Sequence, residues 1–91
     1  MFDFYKTLNE IQSIESKNPE KAIEYYSKSL DLERKMENNE CIGTVLINIG
    51  NVLTSQLKFT EAEKSFEDAL NMFTKNRHTE GVAKTFEFLG A

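Results

Sequence analysis

The segment from Ile47 to Leu70, INIGNVLTSQLKFTEAEKSFEDAL, decides the fold. It sets three small residues, Gly50, Ala62 and Ala69, among large apolar ones. Two helices pack with their axes about 8–10 Å apart, so the point of closest approach takes only small side chains. A glycine inside a helix costs about 1 kcal/mol relative to alanine, and a close helix contact explains why it is there. The segment therefore predicts two helices packed against each other.

Apolar residues recur at three- and four-residue spacing on both sides of this segment, as in amphipathic helices. Between 42 and 57 they are Ile42, Val45, Leu46, Ile49, Val52, Leu53 and Leu57; between 62 and 73 they are Ala62, Phe66, Ala69, Leu70 and Phe73. Helix starts are indicated by Asn18-Pro19, by Asn38 or Asn39, by Thr60 with Glu63, and by Thr79. The pattern predicts five helices, over about 3–16, 19–37, 40–57, 60–76 and 80–91, joined by short turns into antiparallel hairpins.

The chain resembles itself when it is shifted by forty residues. Small and apolar positions return, namely Ala22 on Ala62, Tyr26 on Phe66, Leu30 on Leu70, Ile42 on Val82, Leu46 on Phe86 and Gly50 on Gly90. Glu40 returns as Glu80, but most charged positions drift, so the repeated feature is the packing and not the surface. We expect one domain over 1–91, with a degenerate first repeat at 1–40, a complete repeat at 41–80 and the first helix of a truncated repeat at 81–91.

Composition favours a small all-α domain. The 91 residues are 40% hydrophobic and 29% charged, and one proline with four glycines leaves little material for the turns of a β fold. The single cysteine excludes an internal disulfide and fits a reducing compartment. A net charge of −4 argues against nucleic-acid binding. Neither a membrane-spanning run nor a secretory signal is visible in the sequence.

The repeated pattern resembles the tetratricopeptide repeat, in which a large residue, a Leu-Gly pair and an aromatic on one helix precede A-x3-F on the next. The matching residues are Leu46, Ile49-Gly50, Leu53, and Ala62 with Phe66, followed by the small residue Ala69. Two positions depart from the pattern, since Leu57 replaces the glycine of the turn and Thr74 the closing proline. The forty-residue period is similar to the long variety found in spindle-orientation adaptors, kinesin light chains and bacterial peptide-pheromone receptors. The resemblance implies antiparallel helix hairpins stacked as a short right-handed α-solenoid.

The resemblance also implies a non-catalytic binding module whose concave groove holds a peptide or a partner helix. The groove residues it implies are Thr44, Asn48, Asn51, Thr54, Ser55, Lys84 and Phe88. Asparagine amides both donate and accept hydrogen bonds, which suits an extended peptide, although two solvated asparagines are the alternative. Ile47 shares this face and stands where members that recognise a C-terminal carboxylate carry lysine, so that mode of binding is not expected. Phe88 is either a partner contact or the cover of a next helix.

Catalysis has little support in the sequence. His78 and Cys41 are the single residues of their types and lie far apart. We interpret His78 as solvated or bound to a helix end, and Cys41 as a small apolar helix residue. Metal-ligand spacing, a phosphate-binding loop and a dinucleotide fingerprint are all missing from the sequence. We expect neither enzyme activity nor a cofactor.

The last helix is expected to need a cover. Val82, Phe86 and Leu89 form its inward stripe, and a solenoid normally ends in a helix with a polar outer face. We expect further repeats, a second copy or an assembly partner on this helix. The alternative function is accordingly structural, as a fragment or small subunit of a larger helical-repeat assembly without a free peptide ligand. A cytoplasmic location is expected, and the resemblance to spindle adaptors and kinesin light chains allows association with the cytoskeleton.

Overall fold

Five helices follow one another in a computed structural model that describes the backbone of residues 4–15, 17–75 and 77–90, and the side chains of 6–15, 17–75 and 77–87. They are α1 (Phe4–Glu15), α2 (Pro19–Lys35), α3 (Asn39–Ser55), α4 (Phe59–Lys75) and α5 (Thr79–Gly90). Each helix packs on the next in the chain, and α3 also contacts α5. The predicted all-α fold and its five helices are confirmed, and each observed helix end lies within two residues of its predicted position.

The helices repeat every twenty residues. The starts of α2 to α5 lie at residues 19, 39, 59 and 79, and α2, α3 and α4 are each 17 residues long. Each of the three joints that follow α2, α3 and α4 holds a left-handed residue at the same place, Glu37, Leu57 and Arg77, with φ of 54°, 62° and 53°. The forty-residue repeat of the sequence is therefore built from two halves with the same helix length and the same joint.

Backbone hydrogen bonds explain this common joint. The N–H of Asn38 donates to the carbonyl of Glu33 at 3.1 Å, and the N–H of Lys58 donates to the carbonyl of Leu53 at 2.9 Å. Such bonds, spanning a left-handed residue, define the Schellman end of a helix. The turn at Leu57 thus has the conformation that glycine usually provides. Leu57 is 74% exposed, so its assignment to the apolar face of α3 is wrong.

Two helix starts follow the asparagine signals. The side chain of Asn18 accepts a hydrogen bond from the N–H of Lys21 at 3.1 Å, and that of Asn38 accepts one from the N–H of Cys41 at 3.2 Å. These bonds satisfy amide groups that the first turn of a helix leaves without a partner. Asn38, and not Asn39, is therefore the cap of α3.

The other two predicted caps are wrong by one or two residues. Helix α4 begins at Phe59, so Thr60 lies inside its first turn. Helix α5 begins at Thr79, and the position before it belongs to His78. The Nδ1 atom of His78 accepts a hydrogen bond from the N–H of Gly81 at 2.9 Å, so His78 caps this helix in place of Thr79.

The core runs through all the hairpins and includes Leu8 and Ile11 of α1, Ala22, Tyr26 and Leu30 of α2, and the inward residues of α3 and α4. Ala62 and Ala69 are buried, as the sequence predicts. The group facing Gly50, however, is the ring of Phe66, since a Cβ placed on Gly50 would lie 2.5 Å from Cε1 of that ring. Gly50 therefore makes room for an aromatic ring beside the two alanines.

The inward face of α5 differs from the prediction. Gly81 and Thr85 are buried, Val82 is half-buried and Phe86 is 56% exposed. The matching residue on α3, Leu46, is only 6% exposed because α4 covers it. Among the described residues no helix covers α5 in the same way, so Phe86 lies on an open face. The side chain of Leu89 lies outside the described residues.

Candidate partner-binding face

Helices α3 and α5 enclose a cavity of about 180 Å³, which we call the α3/α5 cavity. Its lining includes three of the residues that the sequence predicts for the groove, Thr44, Asn48 and Lys84. Ile47 also lines it and is only 6% exposed, so this residue belongs to the core as well as to the cavity wall. The direct contact between α3 and α5 brings these side chains together.

A second cavity of about 270 Å³, the α1/α3 cavity, lies on the other flank of α3. It is lined by Gln12, Glu15, Asn51, Val52 and Ser55. The predicted groove residues of α3 therefore divide between two cavities, with Asn48 in one and Asn51 in the other.

Two predicted residues fall outside both cavities or outside the described part. Thr54 is exposed and lines neither cavity, and its hydroxyl donates to the carbonyl of Gly50 at 2.8 Å. The side chain of Phe88 is not among the described residues. Its predicted role therefore stays a prediction.

The hydroxyls that line the two cavities have hydrogen-bond partners, whereas the side-chain amide nitrogen of Asn48 has none. Thr44 donates to the carbonyl of Glu40 at 3.0 Å, and Ser55 donates to the carbonyl of Val52 at 2.6 Å. The Nδ2 atom of Asn48, in contrast, is buried without a hydrogen-bond partner. A buried donor without a partner costs about 1–3 kcal/mol, so an acceptor supplied at this cavity would be stabilising.

His78 fastens the first turn of α5 beside the α3/α5 cavity. Its ring stacks on that of Phe73 with 5.3 Å between the centroids, and its Nε2 lies 3.3 Å from Oε1 of Glu40. With Nδ1 accepting from Gly81, all polar positions of the ring are used. The helix-end interpretation of His78 is confirmed. The contacts to Phe73 and Glu40 were missed, because no local pattern in the sequence links His78 to either residue.

A carboxyl and a thiol meet at the joint between α2 and α3. Glu33 is fully buried, and burial raises its pKa above the ordinary value while the Cys41 thiol acts against this shift. Burial, followed by the negative charges of Glu33 and Glu40, raises the pKa of Cys41 to about 11. A thiol with so high a pKa is a poor nucleophile near neutrality.

The described part of the chain brings no three His, Cys, Asp or Glu side chains together as a metal site would require. Within the same described part, no helix has both the length and the apolar character needed to cross a bilayer.

A third cavity, of about 400 Å³, was not predicted. It lies between α1 and α2 and is lined by Thr7, Glu10, Ile11, Ile14, Tyr25, Lys28, Ser29 and Leu32. The four residues of α1 are spaced by three, one and three, which is the helical stripe that could have indicated it. We call it the α1/α2 groove. Tyr25 lies at its edge with the amino groups of Lys21 and Lys28 5.5 and 5.6 Å from its ring centroid.

Comparison with known proteins gives one clear result. A family model described as tetratricopeptide repeat matches residues 14–75, which is more than half of the chain. No curated protein and no solved structure matches the chain. The match begins near the end of α1 and covers α2, α3 and α4, the helices that carry the twenty-residue spacing and the A-x3-F element. The chain belongs to the tetratricopeptide repeat family.

Proposed function

We propose that this chain is an interaction module that binds a peptide or a helix of a partner protein along α1, α3 and α5. Tetratricopeptide repeats are generally non-catalytic modules for protein–protein interaction, and the chain belongs to that family. The observation that favours this face is the buried Nδ2 of Asn48, which lacks a partner and lines the α3/α5 cavity. A carbonyl of a partner's backbone is the acceptor that would satisfy it.

The two cavities give the partner a path across α3. Asn48 and Lys84 lie on one side of this helix, and Asn51 and Ser55 lie on the other. An extended segment that crosses α3 would meet one asparagine amide in each cavity. Thr54 and Phe88 stay in the proposal as flanking contacts. The single cysteine fits a reducing cytoplasmic setting for this interaction.

Capture of partners from the native source, identified by mass spectrometry, tests this proposal. The double variant Asn48→Ala with Asn51→Ala should weaken binding of the captured partner at least about tenfold, which corresponds to roughly 1.4 kcal/mol. Asn71→Ala is the matched control, because Asn71 is exposed on α4 and lines neither cavity. Circular dichroism should be the same for all three chains. Equal binding by the double variant and the control would remove the face from consideration.

The exposed face of α5 favours a second, structural function. Phe86 is 56% exposed where the matching Leu46 is 6% exposed. Burial of such an aromatic side chain is worth about 1.5–3 kcal/mol. Further repeats, a second copy or an assembly partner on α5 would supply this burial. In that case the chain is a part of a larger helical-repeat assembly and needs no free peptide.

Light scattering at high micromolar concentration distinguishes a monomer from a dimer formed through α5. If a second copy packs on α5, the chain is a dimer and Phe86→Glu should convert it to a monomer. Phe59→Glu, which changes another exposed aromatic, is the matched control and should leave the dimer intact. If an unaltered chain is a monomer that binds no dye specific for apolar patches, the face of α5 needs no cover and the structural function loses its support.

A further inference from the structure

The joint between α2 and α3 buries an acid at an apolar position. Glu33 is 0% exposed, and its carboxyl oxygens meet no hydrogen-bond donor except the neighbouring thiol of Cys41, which is a weak one. Leu53 and Phe73 occupy the same place in the next two joints, twenty and forty residues later. An ionised carboxylate with at most one weak hydrogen bond is strongly disfavoured in a protein interior. Glu33 therefore lies where the fold itself favours an uncharged side chain.

The residue that faces Glu33 also differs from the residue at the matching position of the joint between α4 and α5. At the joint between α4 and α5, the ring of Phe73 lies against Gly81 so closely that a side chain there would displace it. Forty residues earlier, Cys41 stands in place of Gly81 and faces Glu33. The joint between α2 and α3 thus replaces an apolar contact by a carboxyl beside a thiol.

Among the described residues, no cation is found to compensate Glu33 on the helices packed around it. From α3 it meets Cys41 and, near that thiol, the acidic Glu40. Helix α1 carries Lys6, Glu10 and Glu15; Lys6 is exposed, Glu10 lines the α1/α2 groove and Glu15 accepts a hydrogen bond from the hydroxyl of Tyr26. On α2 itself the following residues, Arg34 and Lys35, are exposed. The surroundings of the carboxyl are apolar or acidic.

We propose that Glu33 is a proton-dependent lock between α3 and the first hairpin, formed by α1 and α2. With a proton on Glu33 the acid is neutral and the joint stays closed. Loss of that proton places a charge in the joint and favours separation of α2 from α3. Glu15 of the first hairpin and Asn51 of α3 both line the α1/α3 cavity, so separation of the first hairpin from α3 would also change the shape of that cavity.

The direction of the pH effect follows from linkage. In the closed joint the pKa of Glu33 is raised above its ordinary value of 4.5, mainly by burial. The closed joint then binds the proton more tightly than the open one, so the stabilisation is fully present below the ordinary value. It is lost as the pH rises towards the raised pKa. The lock itself is independent of the proposed partner binding, and only its effect on the α1/α3 cavity rests on that function.

Hydrogen exchange measured residue by residue between about pH 4 and pH 8 tests the lock, after correction for the intrinsic exchange rate. In the unaltered chain, the opening constant of α1 and α2 relative to α4 should rise with pH, by at most about tenfold per unit for one proton. In Glu33→Gln this rise should be absent. Asp31→Asn is the matched control, because Asp31 is an exposed acid on the same helix, and it should behave as the unaltered chain does.

Two results would overturn the lock. One is the same pH dependence in the unaltered chain and in Glu33→Gln. The other is an opening that rises equally in all five helices, because that reports global unfolding and not a joint. Glu33→Leu is an independent variant, because the matching position of the next joint is already a leucine, Leu53. This variant should also abolish the pH dependence. If the lock holds while Asn48 and Asn51 prove irrelevant to partners, only the proposed binding face fails.

Discussion

The ring of Phe66 occupies the space that the missing side chain of Gly50 leaves on α3. A Cβ at Gly50 would lie 2.5 Å from Cε1 of this ring, and both residues are buried. Ser65, next to the ring, donates its hydroxyl to the carbonyl of Leu46 at 2.6 Å, so α3 and α4 are also joined by a buried hydrogen bond at this level. Gly50 on α3 and Phe66 on α4 are thus in direct contact. These two residues belong to the pattern by which the repeat is recognised in the sequence.

Gly50→Leu should separate α3 from α4. Overpacking of a core costs about 1–3 kcal/mol, which is a large part of the stability of so small a domain. Thermal unfolding should therefore occur well below that of the unaltered chain. Combining the change with Phe66→Ala should recover part of the loss, because removal of the ring makes room for the new side chain. A Gly50→Leu chain that melts together with the unaltered one would contradict the close contact.

Leu57 should be replaceable by glycine with a gain in stability. The residue has a φ of 62° and is 74% exposed, so it carries the cost of a left-handed conformation and contributes little packing. Leu57→Gly should stabilise the chain by about 1 kcal/mol and raise the melting temperature by about 4–8 °C. Leu57→Ala is the control, since it keeps the Cβ and should give no gain. Equal melting temperatures for the two variants would mean that the backbone strain at this joint is negligible.

The sequence predicted the helices better than their ends and their neighbours. Spacing of apolar residues identifies α3 and α4 because a helix must bury one stripe. Thr60 was assigned as a cap because its residue type suits one, yet the common joint begins α4 at Phe59. The capping preference of a single residue is weaker than the backbone hydrogen bonds that form the same joint three times in this chain. Glu10, which stands forty residues before Gly50, is exposed, and α1 buries Leu8 and Ile11 instead.

The candidate face was predictable only in part. Residues on one side of α3 follow from helix geometry, and Thr44 and Asn48 do line one cavity. Whether Asn51 shares their cavity depends on where α1 and α5 cross α3, and no local pattern contains this information. The buried position of Glu33 was missed for a related reason. A charged residue in a helix reads as solvent-exposed until the packing of the neighbouring helix is known.

Tyr26→Phe should weaken the first hairpin. The hydroxyl of this fully buried tyrosine donates to Oε1 of Glu15 on α1, and burial together with this carboxylate raises the pKa of Tyr26. A hydrogen bond to a charged group is worth about 1.5–3 kcal/mol, so chemical unfolding should show a loss of that order. Tyr25→Phe is the matched control, because Tyr25 is half-buried and lies at the edge of the α1/α2 groove. Similar stabilities for the two variants would show that the bond to Glu15 contributes nothing.

Cys41 should react slowly with alkylating reagents. Burial first, and then the negative charges of Glu33 and Glu40, raise its pKa from 9.0 to about 11. Because only the thiolate reacts, a rise of about two units lowers its population about 100-fold near neutral pH. The rate of reaction with iodoacetamide should increase about tenfold per pH unit up to about pH 11 in the folded chain. Glu40→Gln removes one of the charges and leaves Glu33 in place, so it should raise the rate at a given pH, whereas Asp31→Asn should not. If the folded chain reacts as fast as the chain unfolded in urea, the thiol is not held in the acidic, buried joint that distinguishes α2 and α3 from the other helix pairs.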